Sequence, residues 1–337
     1  PMNTYGKLFR VSIFGESHGS LVGILLDGVP AGIPLDPEDL MEDLGRRKSG
    51  AAGTTPRKED DIPLIKSGVF NGFTTGAPLI IQIENKNTRS RDYTALRETP
   101  RPGHADFTAY KKFGGYEDYR GGGHFSGRLT TGLVAAGAIA KKMIDPVTVN
   151  ATILEVGGSE NIEEAIRQAV EEQDSIGGIV ECKISRIPSG VGEPFFDSVE
   201  SVLSHLVFSI PAIKGIEFGA GFAAAKMRGS EHNDNFVDTD GKTETNHAGG
   251  INGGITNGNE IVFRVVVKPT SSTHKAQRTM NFVKNKMQEL TVEGRHDTCI
   301  ALRVPVVLEA AAALATADLM LQAQAINRIL NPKDIIE

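Results

Sequence analysis

A chain of 337 residues with 39% hydrophobic and 23% charged side chains has ordinary globular composition and enough length for a sizeable buried core. Its 36 basic and 42 acidic residues leave a net charge of −6, which argues against a general nucleic-acid binder. No run approaches the roughly 18 consecutive apolar residues of a membrane span, and the two cysteines, Cys182 and Cys299, are too few and too separated for a disulfide framework or a Cys-rich metal site.

The N-terminus lacks the zones of a signal peptide, so the expectation is a cytoplasmic protein without nucleic-acid or membrane partners. The apolar run Leu8–Phe14 ends in Gly15-Glu16-Ser17-His18-Gly19, a reactive-looking turn at a strand end. It satisfies the G-x-S-x-G pattern of a hydrolase nucleophile elbow, so either Ser17 or His18 is the candidate actor. After Gly19, however, Leu21–Leu26 reads as a strand with no helical period, which contradicts the strand, elbow and helix that a hydrolase requires. Taken alone, a histidine in a Gly-rich turn is more often a hydrogen-bonded structural residue than a catalyst.

Next, Asp36-Pro37-Glu38-Asp39 has the cap, proline and acidic first turn of a helix start, and Arg46-Arg47-Lys48 closes that helix before Gly50. Its basic end projects into a Gly/Thr-rich loop. Further strands are expected at Leu79–Ile83, Val147–Leu154, Ile179–Ile184 and Ile261–Val267, several with the alternation of antiparallel strands buried on one face. Cationic clusters, including Arg46-Arg47-Lys48, Arg57-Lys58, and Arg120 with Arg128, concentrate in the first 130 residues and suit a cleft for a small polyanion.

Arg101-Pro102-Gly103-His104-Ala105-Asp106 sets a histidine two residues from a carboxylate able to fix its tautomer. Tyr119-Arg120-Gly121-Gly122-Gly123-His124-Phe125-Ser126-Gly127-Arg128 runs into a helix, and glycines before a helix start offer backbone N–H groups to an anion. Neither a nucleotide P-loop nor a Rossmann turn is present. That helix, Leu129–Ile144, is small and apolar almost all round, and Ala310–Leu330 reads as a second interior helix. Between them, Asn161–Glu172 is amphipathic. Helices covered by sheets on both sides explain this pattern best, so one continuous α+β domain spanning the chain is expected. Near the C-terminus Gly249–Gly254, Lys268-Pro269-Thr270-Ser271-Ser272 and Gly294-Arg295-His296-Asp297 add a cation and hydroxyls suited to a phosphate ester. No metal-ligand spacing such as H-E-x-x-H or C-x-x-C is found.

Gly15–Gly19, Val29-Pro30-Ala31-Gly32, Asp43–Arg47, Arg101–Asp106, Tyr119–Gly123, Asn246–Gly250, Lys268–Ser272 and Gly294–Asp297, in that order, resemble the motif blocks of the chorismate synthase family. The resemblance runs over nearly the whole chain. It implies a shikimate-pathway lyase that converts 5-enolpyruvylshikimate-3-phosphate to chorismate by 1,4-anti elimination of phosphate, with reduced FMN as cofactor. It also implies a β-α-β sandwich with interior helices between antiparallel sheets, assembled as a homotetramer. By the same resemblance His18 protonates the departing phosphate, and His104 balances the reduced flavin near N1. Asp297 is associated with proton removal at flavin N5, with Ser17 and Ser126 as hydrogen-bonding assistants. Arg47, Arg128 and Arg295 hold the phosphate and carboxylates. Gly253, Lys268, Thr270, Ser271, Ser272 and Arg295 fall on flavin-binding blocks, as do His124, Phe125 and Ser126.

Departures from the family pattern are local. The run His124-Phe125-Ser126-Gly127-Arg128-Leu129-Thr130 replaces Arg-Ala/Ser-Ser-Ala-Arg-Glu-Thr, keeping the serine and the arginine. Thr298 stands where a proline is usual. The loop after Arg47 is shorter and loses an arginine, for which Arg57 is expected to substitute as an anion contact, and the connection from Val147 to Gly177 is abbreviated. No reductase domain or Rossmann turn for NADPH is visible, so a monofunctional enzyme supplied with reduced FMN is expected. The competing classes are a serine hydrolase using Ser17 and a non-catalytic phosphometabolite or flavin binder, which would need the phosphate loops but neither histidine.

Overall fold

Alternation of buried and exposed residues over the first strands builds one face of the core, in a computed structural model that describes residues 2–48, 60–86, 88, 93–294, 296–327, 330 and 333. The N-terminal part comprises β1 (Thr4–Tyr5), β2 (Arg10–Gly15), β3 (Leu21–Asp27), α1 (Met41–Arg47), β4 (Leu64–Ser67), β5 (Val69–Phe70), β6 (Phe73–Thr74), β7 (Leu79–Glu84), α2 (Thr94–Glu98), α3 (Asp106–Phe113) and α4 (Thr130–Ile144). It continues through β8 (Thr148–Val156), α5 (Ile162–Glu171), β9 (Gly178–Ser185), α6 (Val199–Val207), β10 (Ile213–Phe218), α7 (Gly229–His232), β11 (Ile251–Asn252) and β12 (Ile255–Thr256). The last elements are β13 (Ile261–Val267), β14 (Gln277–Asn281), β15 (Lys286–Leu290) and α8 (Val304–Gln322).

Two antiparallel sheets dominate, in the orders β1-β2-β3-β7-β4 and β10-β13-β9-β8. In the first, Ile24 lies opposite both Ile13 and Ile81, and Val22, Ile24, Leu26, Leu79, Ile81 and Ile83 are completely buried. In the second, Val180, Cys182 and Ile184 share the buried face with Ile261, Phe263, Val265 and Val267. The architecture is α+β, as the sequence pattern led us to expect.

α4 lies on β3 and β7 of the first sheet, α8 lies on β8 and β9 of the second, and the two helices pack on each other. Small residues make this possible. A Cβ on Gly132 would stand 3.2 Å from the Gly23 carbonyl oxygen of β3, and one on Gly137 would stand 2.3 Å from Ala310 Cβ of α8. Helix axes that approach this closely exclude larger side chains from the seam.

α8 departs from expectation in position and environment. It starts at Val304 and ends at Gln322 rather than spanning 310–330, because Pro305 occupies its first turn, where a missing N–H costs nothing. Ile300–Gln322 is also long and apolar enough to cross a membrane, although 89% of its most apolar window is buried inside the protein, as in a core helix. Two carboxylates on this helix, Glu309 and Asp318, are buried. Glu309 receives Arg46 through both carboxylate oxygens at 2.7 and 2.8 Å, Lys141 at 2.8 Å and the Ala151 N–H at 3.0 Å. Burial opposes ionisation of Glu309, but the hydrogen bonds from Arg46 and Lys141 outweigh it and hold the carboxyl below its usual range. Asp318 accepts the consecutive backbone N–H groups of Lys7, Leu8 and Phe9, tying the N-terminal segment to the core helix.

The helix expected from Asp36 forms in two parts, a 3₁₀ turn over Pro37–Leu40 and then α1. Asp36 accepts the Glu38 N–H at 2.9 Å while Asp39 accepts the Asp36 N–H, a reciprocal cap. Arg46 and Arg47 stand in the last turn of α1. Arg46 is drawn to Glu309 while Arg47 points into the site described next.

Candidate active site

A cavity of about 1000 Å³ opens where the Gly15–Gly19 turn, the Gly121–Gly123 loop and the Lys268–Ser272 segment converge. That volume is at the upper end for small-molecule sites. Its lining includes Ser17, His18, Arg47, His104, His124, Phe125, Ser126 and Arg128 from the first half of the chain. Lys268, Thr270, Ser271, Ser272, Asp297 and Arg303 come from the second.

The first turn follows β2. Gly15 adopts φ +103°, and a Cβ there would meet the Leu21 carbonyl oxygen at 2.3 Å. β3 begins two residues after Gly19, so Ser17 sits between two strands and not before a helix. The elbow geometry of a serine hydrolase is absent. Ser17 is buried, and its N–H donates to the Gly123 carbonyl at 3.1 Å, which joins the turn to the glycine loop. His18 Nε2 lies 3.3 Å from the Tyr93 hydroxyl, with the two rings edge to face.

Gly121, Gly122 and Gly123 all have positive φ, 58°, 85° and 55°. A Cβ on Gly121 would lie 2.1 Å from His18 Cε1 and 2.2 Å from its Nδ1, and one on Gly122 would lie 4.0 Å from His104 Nε2. The two imidazoles therefore flank consecutive glycines of one loop. The loop is a kinked 3₁₀ segment and does not itself present the start of α4, because Ser126 intervenes. Ser126 Oγ accepts the Arg128 N–H at 3.1 Å and caps the short turn leading to α4.

His104 is oriented by Asp106, at the first position of α3. Its Nδ1 stands 2.8 Å from Asp106 Oδ1, while Arg101 grips the same carboxylate through Nε at 2.8 Å and Nη2 at 2.9 Å. Burial raises the tendency of Asp106 to hold a proton, yet Arg101 and His104 together overcome it and keep the carboxyl well below its normal range. The Asp106 carboxylate beside Nδ1 favours the proton on that nitrogen, which leaves Nε2 on the side of Gly122 and the cavity.

The Lys-Pro-Thr-Ser-Ser segment leaves β13 against this same turn. Lys268 Nζ donates to the Gly103 carbonyl at 2.9 Å and to Ser271 Oγ at 2.6 Å, and Ser271 Oγ donates to the Gly103 carbonyl at 2.8 Å. Ser272 Oγ receives Arg101 Nη1 at 3.4 Å. Burial, and then repulsion from Lys214, lower the proton affinity of Lys268. The Thr270 hydroxyl is buried without a hydrogen-bond partner among the described residues. A cation beside an unsatisfied buried hydroxyl suits the phosphate end of a ligand.

Arg47 and Arg128 form a buried pair. Arg47 donates from Nε to Thr130 Oγ1 and from Nη2 to the Gly127 carbonyl, both at 2.8 Å. Arg128 donates from Nε to Asn85 Oδ1 at 3.0 Å and from Nη1 to Asp61 Oδ1 at 2.5 Å. Asp61 Oδ2 stands 3.9 Å from Arg47 Nη1. Asp297 is held by Arg303 through Nε at 2.8 Å and Nη2 at 3.2 Å. Asp61, Tyr93 and Arg303 escaped the sequence reading. Asp61 follows an acidic run that looks like solvated loop, and Tyr93 and Arg303 carry no motif.

Other candidates fall differently. His124 lines the cavity, but its Nδ1 is 2.9 Å from the Gly15 carbonyl and its Nε2 is 2.9 Å from Asn3 Oδ1, so both nitrogens fasten the N-terminal segment. Phe125 is half-exposed and contacts Phe113. Gly253 is not among the lining residues; it occupies the turn of the β11–β12 hairpin with φ +59° and open space around it. Arg57 and Arg295 lie outside the described residues. Among the described residues no cluster of three His, Cys, Asp or Glu side chains has the arrangement to hold a metal ion.

A family model described as chorismate synthase matches residues 9–321. A chorismate synthase of Chitinophaga pinensis is 65% identical over 329 residues, 97% of this chain and 99% of that protein. One from Dehalococcoides mccartyi is 46% identical, covering 97% of this chain and 99% of its own length. A crystal structure of chorismate synthase superposes with a TM-score of 0.73 at 26% identity, covering 95% of this chain and 93% of the other.

Proposed function

The chain belongs to the chorismate synthase family of carbon-oxygen lyases, and from that premise we propose that it releases phosphate from 5-enolpyruvylshikimate-3-phosphate by a reduced-FMN-dependent 1,4-anti elimination. The observation that carries this reading is the placement of His18 and His104 on either side of Gly121 and Gly122, in one cavity with a buried arginine pair. An elimination that expels phosphate needs a cation cradle for the leaving group and a proton donor beside it.

Arg47 and Arg128 supply the cradle, their planar guanidinium groups matching phosphate and carboxylate oxygens in pairs. Arg57 and Arg295 are assigned to anion contacts from the sequence alone. His18 is the general acid that protonates the departing phosphate, with Ser17 beside it in the turn. Asp118 lies close enough to His18 to interact with it electrostatically. His104, standing beside Asp106, would balance charge at the bound cofactor. Asp297, gripped by Arg303, is the carboxylate for proton removal, and Ser126 assists.

The fit of the cofactor rests on Lys268, Thr270, Ser271 and Ser272, where the unsatisfied Thr270 hydroxyl and the Lys268 ammonium suit the FMN phosphate. Bound there, reduced FMN would supply transient electron donation for cleavage of the allylic C–O bond, returned on loss of the C6 hydrogen. The cavity of about 1000 Å³ has room for a flavin and a second small anion together. At larger scale we read the two sheets with α4 and α8 between them as a β-α-β sandwich forming one domain, and the assembly as a homotetramer.

The test is an anaerobic assay with dithionite-reduced FMN and 5-enolpyruvylshikimate-3-phosphate, following phosphate release and chorismate absorbance. Stoichiometric formation of both products is expected. Absence of turnover under those conditions sinks the reading.

A further inference from the structure

We propose that Asp61 is the positioning residue of the anion pocket, a buried carboxylate that holds Arg47 and Arg128 side by side so that the substrate meets two pre-aimed guanidinium groups. The proposal rests on the assignment of these arginines to the substrate's phosphate and carboxylates.

The two arginines come from separate elements, Arg47 from the last turn of α1 and Arg128 from the 3₁₀ turn before α4. Their side chains are only 5% and 6% exposed, and that of Asp61 is 1% exposed. Two like charges withdrawn from water repel each other and favour separation or exposure. Asp61 stands against both, at 2.5 Å from Arg128 Nη1 and 3.9 Å from Arg47 Nη1. Neutral acceptors fix the guanidinium planes: Thr130 Oγ1 and the Gly127 carbonyl for Arg47, Asn85 Oδ1 and the Glu84 carbonyl for Arg128. Those groups set orientation, and Asp61 supplies negative charge common to the pair.

Arg47 and Arg128 both line the cavity, so an incoming polyanion meets two guanidinium groups already held beside one carboxylate. Asp61 thus contributes to substrate affinity by preorganising its receptor, without touching the substrate itself.

Asp61→Asn preserves the shape and one acceptor oxygen but removes the charge. In the FMN-supplied enzyme, we expect KM for 5-enolpyruvylshikimate-3-phosphate to rise at least about tenfold, with kcat changed less than about threefold. The Kd measured by calorimetry on the flavin-bound protein rises in parallel. In Asp61→Gly the loss is larger, and added formate, which fits the vacated carboxylate position, restores KM toward the wild-type value. Formate brings no such gain to the wild type. Rescue by a small anion is a response that a generally damaged fold does not give.

Unchanged KM and Kd in folded Asp61→Asn overturn the proposal, as does failure of formate to rescue folded Asp61→Gly. Inability of both variants to fold even in formate also overturns it, by making Asp61 a folding residue. Wild-type protein that neither binds nor turns over the substrate overturns the substrate assignment and this proposal with it, whereas normal wild-type turnover beside an unaffected Asp61→Asn overturns this proposal alone.

Discussion

The Gly15–Gly19 turn shows how a residue's chemistry depends on what its neighbours leave open. Ser17 is buried with its backbone tied to Gly123, while His18 lies against a glycine that has no side chain to give it room for. Gly121→Ala is therefore expected to act on His18 at one remove. The added Cβ would stand 2.1 Å from the imidazole, and φ at that position is +58°. We expect Gly121→Ala to remain folded by circular dichroism yet to lose turnover to within a few-fold of His18→Ala. Each histidine variant, His18→Ala and His104→Ala, should lose more than roughly tenfold in kcat, the usual weight of a positioned acid or base. If both alanine variants kept wild-type rates, the assignment of the two histidines would be wrong even with the activity intact.

At the scale of elements, the seam between α4 and α8 is set by side-chain size. Gly137→Val would drive a branched side chain into Ala310, whose Cβ already lies 2.3 Å from the position of the first added carbon. Overpacking of this kind costs about 1–3 kcal/mol, so the urea midpoint should fall clearly while the wild-type rate survives in the folded fraction. An unchanged midpoint would mean that the helices separate without penalty. The small-residue composition of 129–144 made this helix legible as interior, and period-two burial made β3, β7, β9 and β13 legible as strands. The start of α8 was harder to read, since Val304-Pro305-Val306-Val307 is β-branched and interrupted by proline, and only burial on all sides makes it helical. The arginine pair was legible as cationic, but its carboxylate was not. Asp61 reaches Arg128 across 67 residues of sequence, a contact that no local pattern encodes.

Across the whole molecule, Glu309 links parts distant in sequence: α1 through Arg46, α4 through Lys141 and β8 through the Ala151 N–H all meet on one carboxylate of α8. Its pKa in the folded protein is lowered below the ordinary 4.5, chiefly by Arg46 and Lys141 acting against burial. A carboxyl depressed on folding contributes stability in full above its unfolded pKa and loses that contribution as pH falls through the folded value. The window for this loss thus opens below about pH 4.5. Glu309→Gln removes the charge while keeping the volume, and leaves Arg46 and Lys141 with Asp43 as the one carboxylate they still share. At pH 7 the variant should unfold at lower urea than the wild type, and the gap should narrow as pH is taken below 4.5, where the wild type protonates and comes to resemble it. Paired urea titrations at pH 7 and at two acidic values measure this directly. A gap that stays constant across the acid range would show that Glu309 works by shape and hydrogen bonding alone, and that α1, α4 and β8 are joined to the core helix without help from its charge.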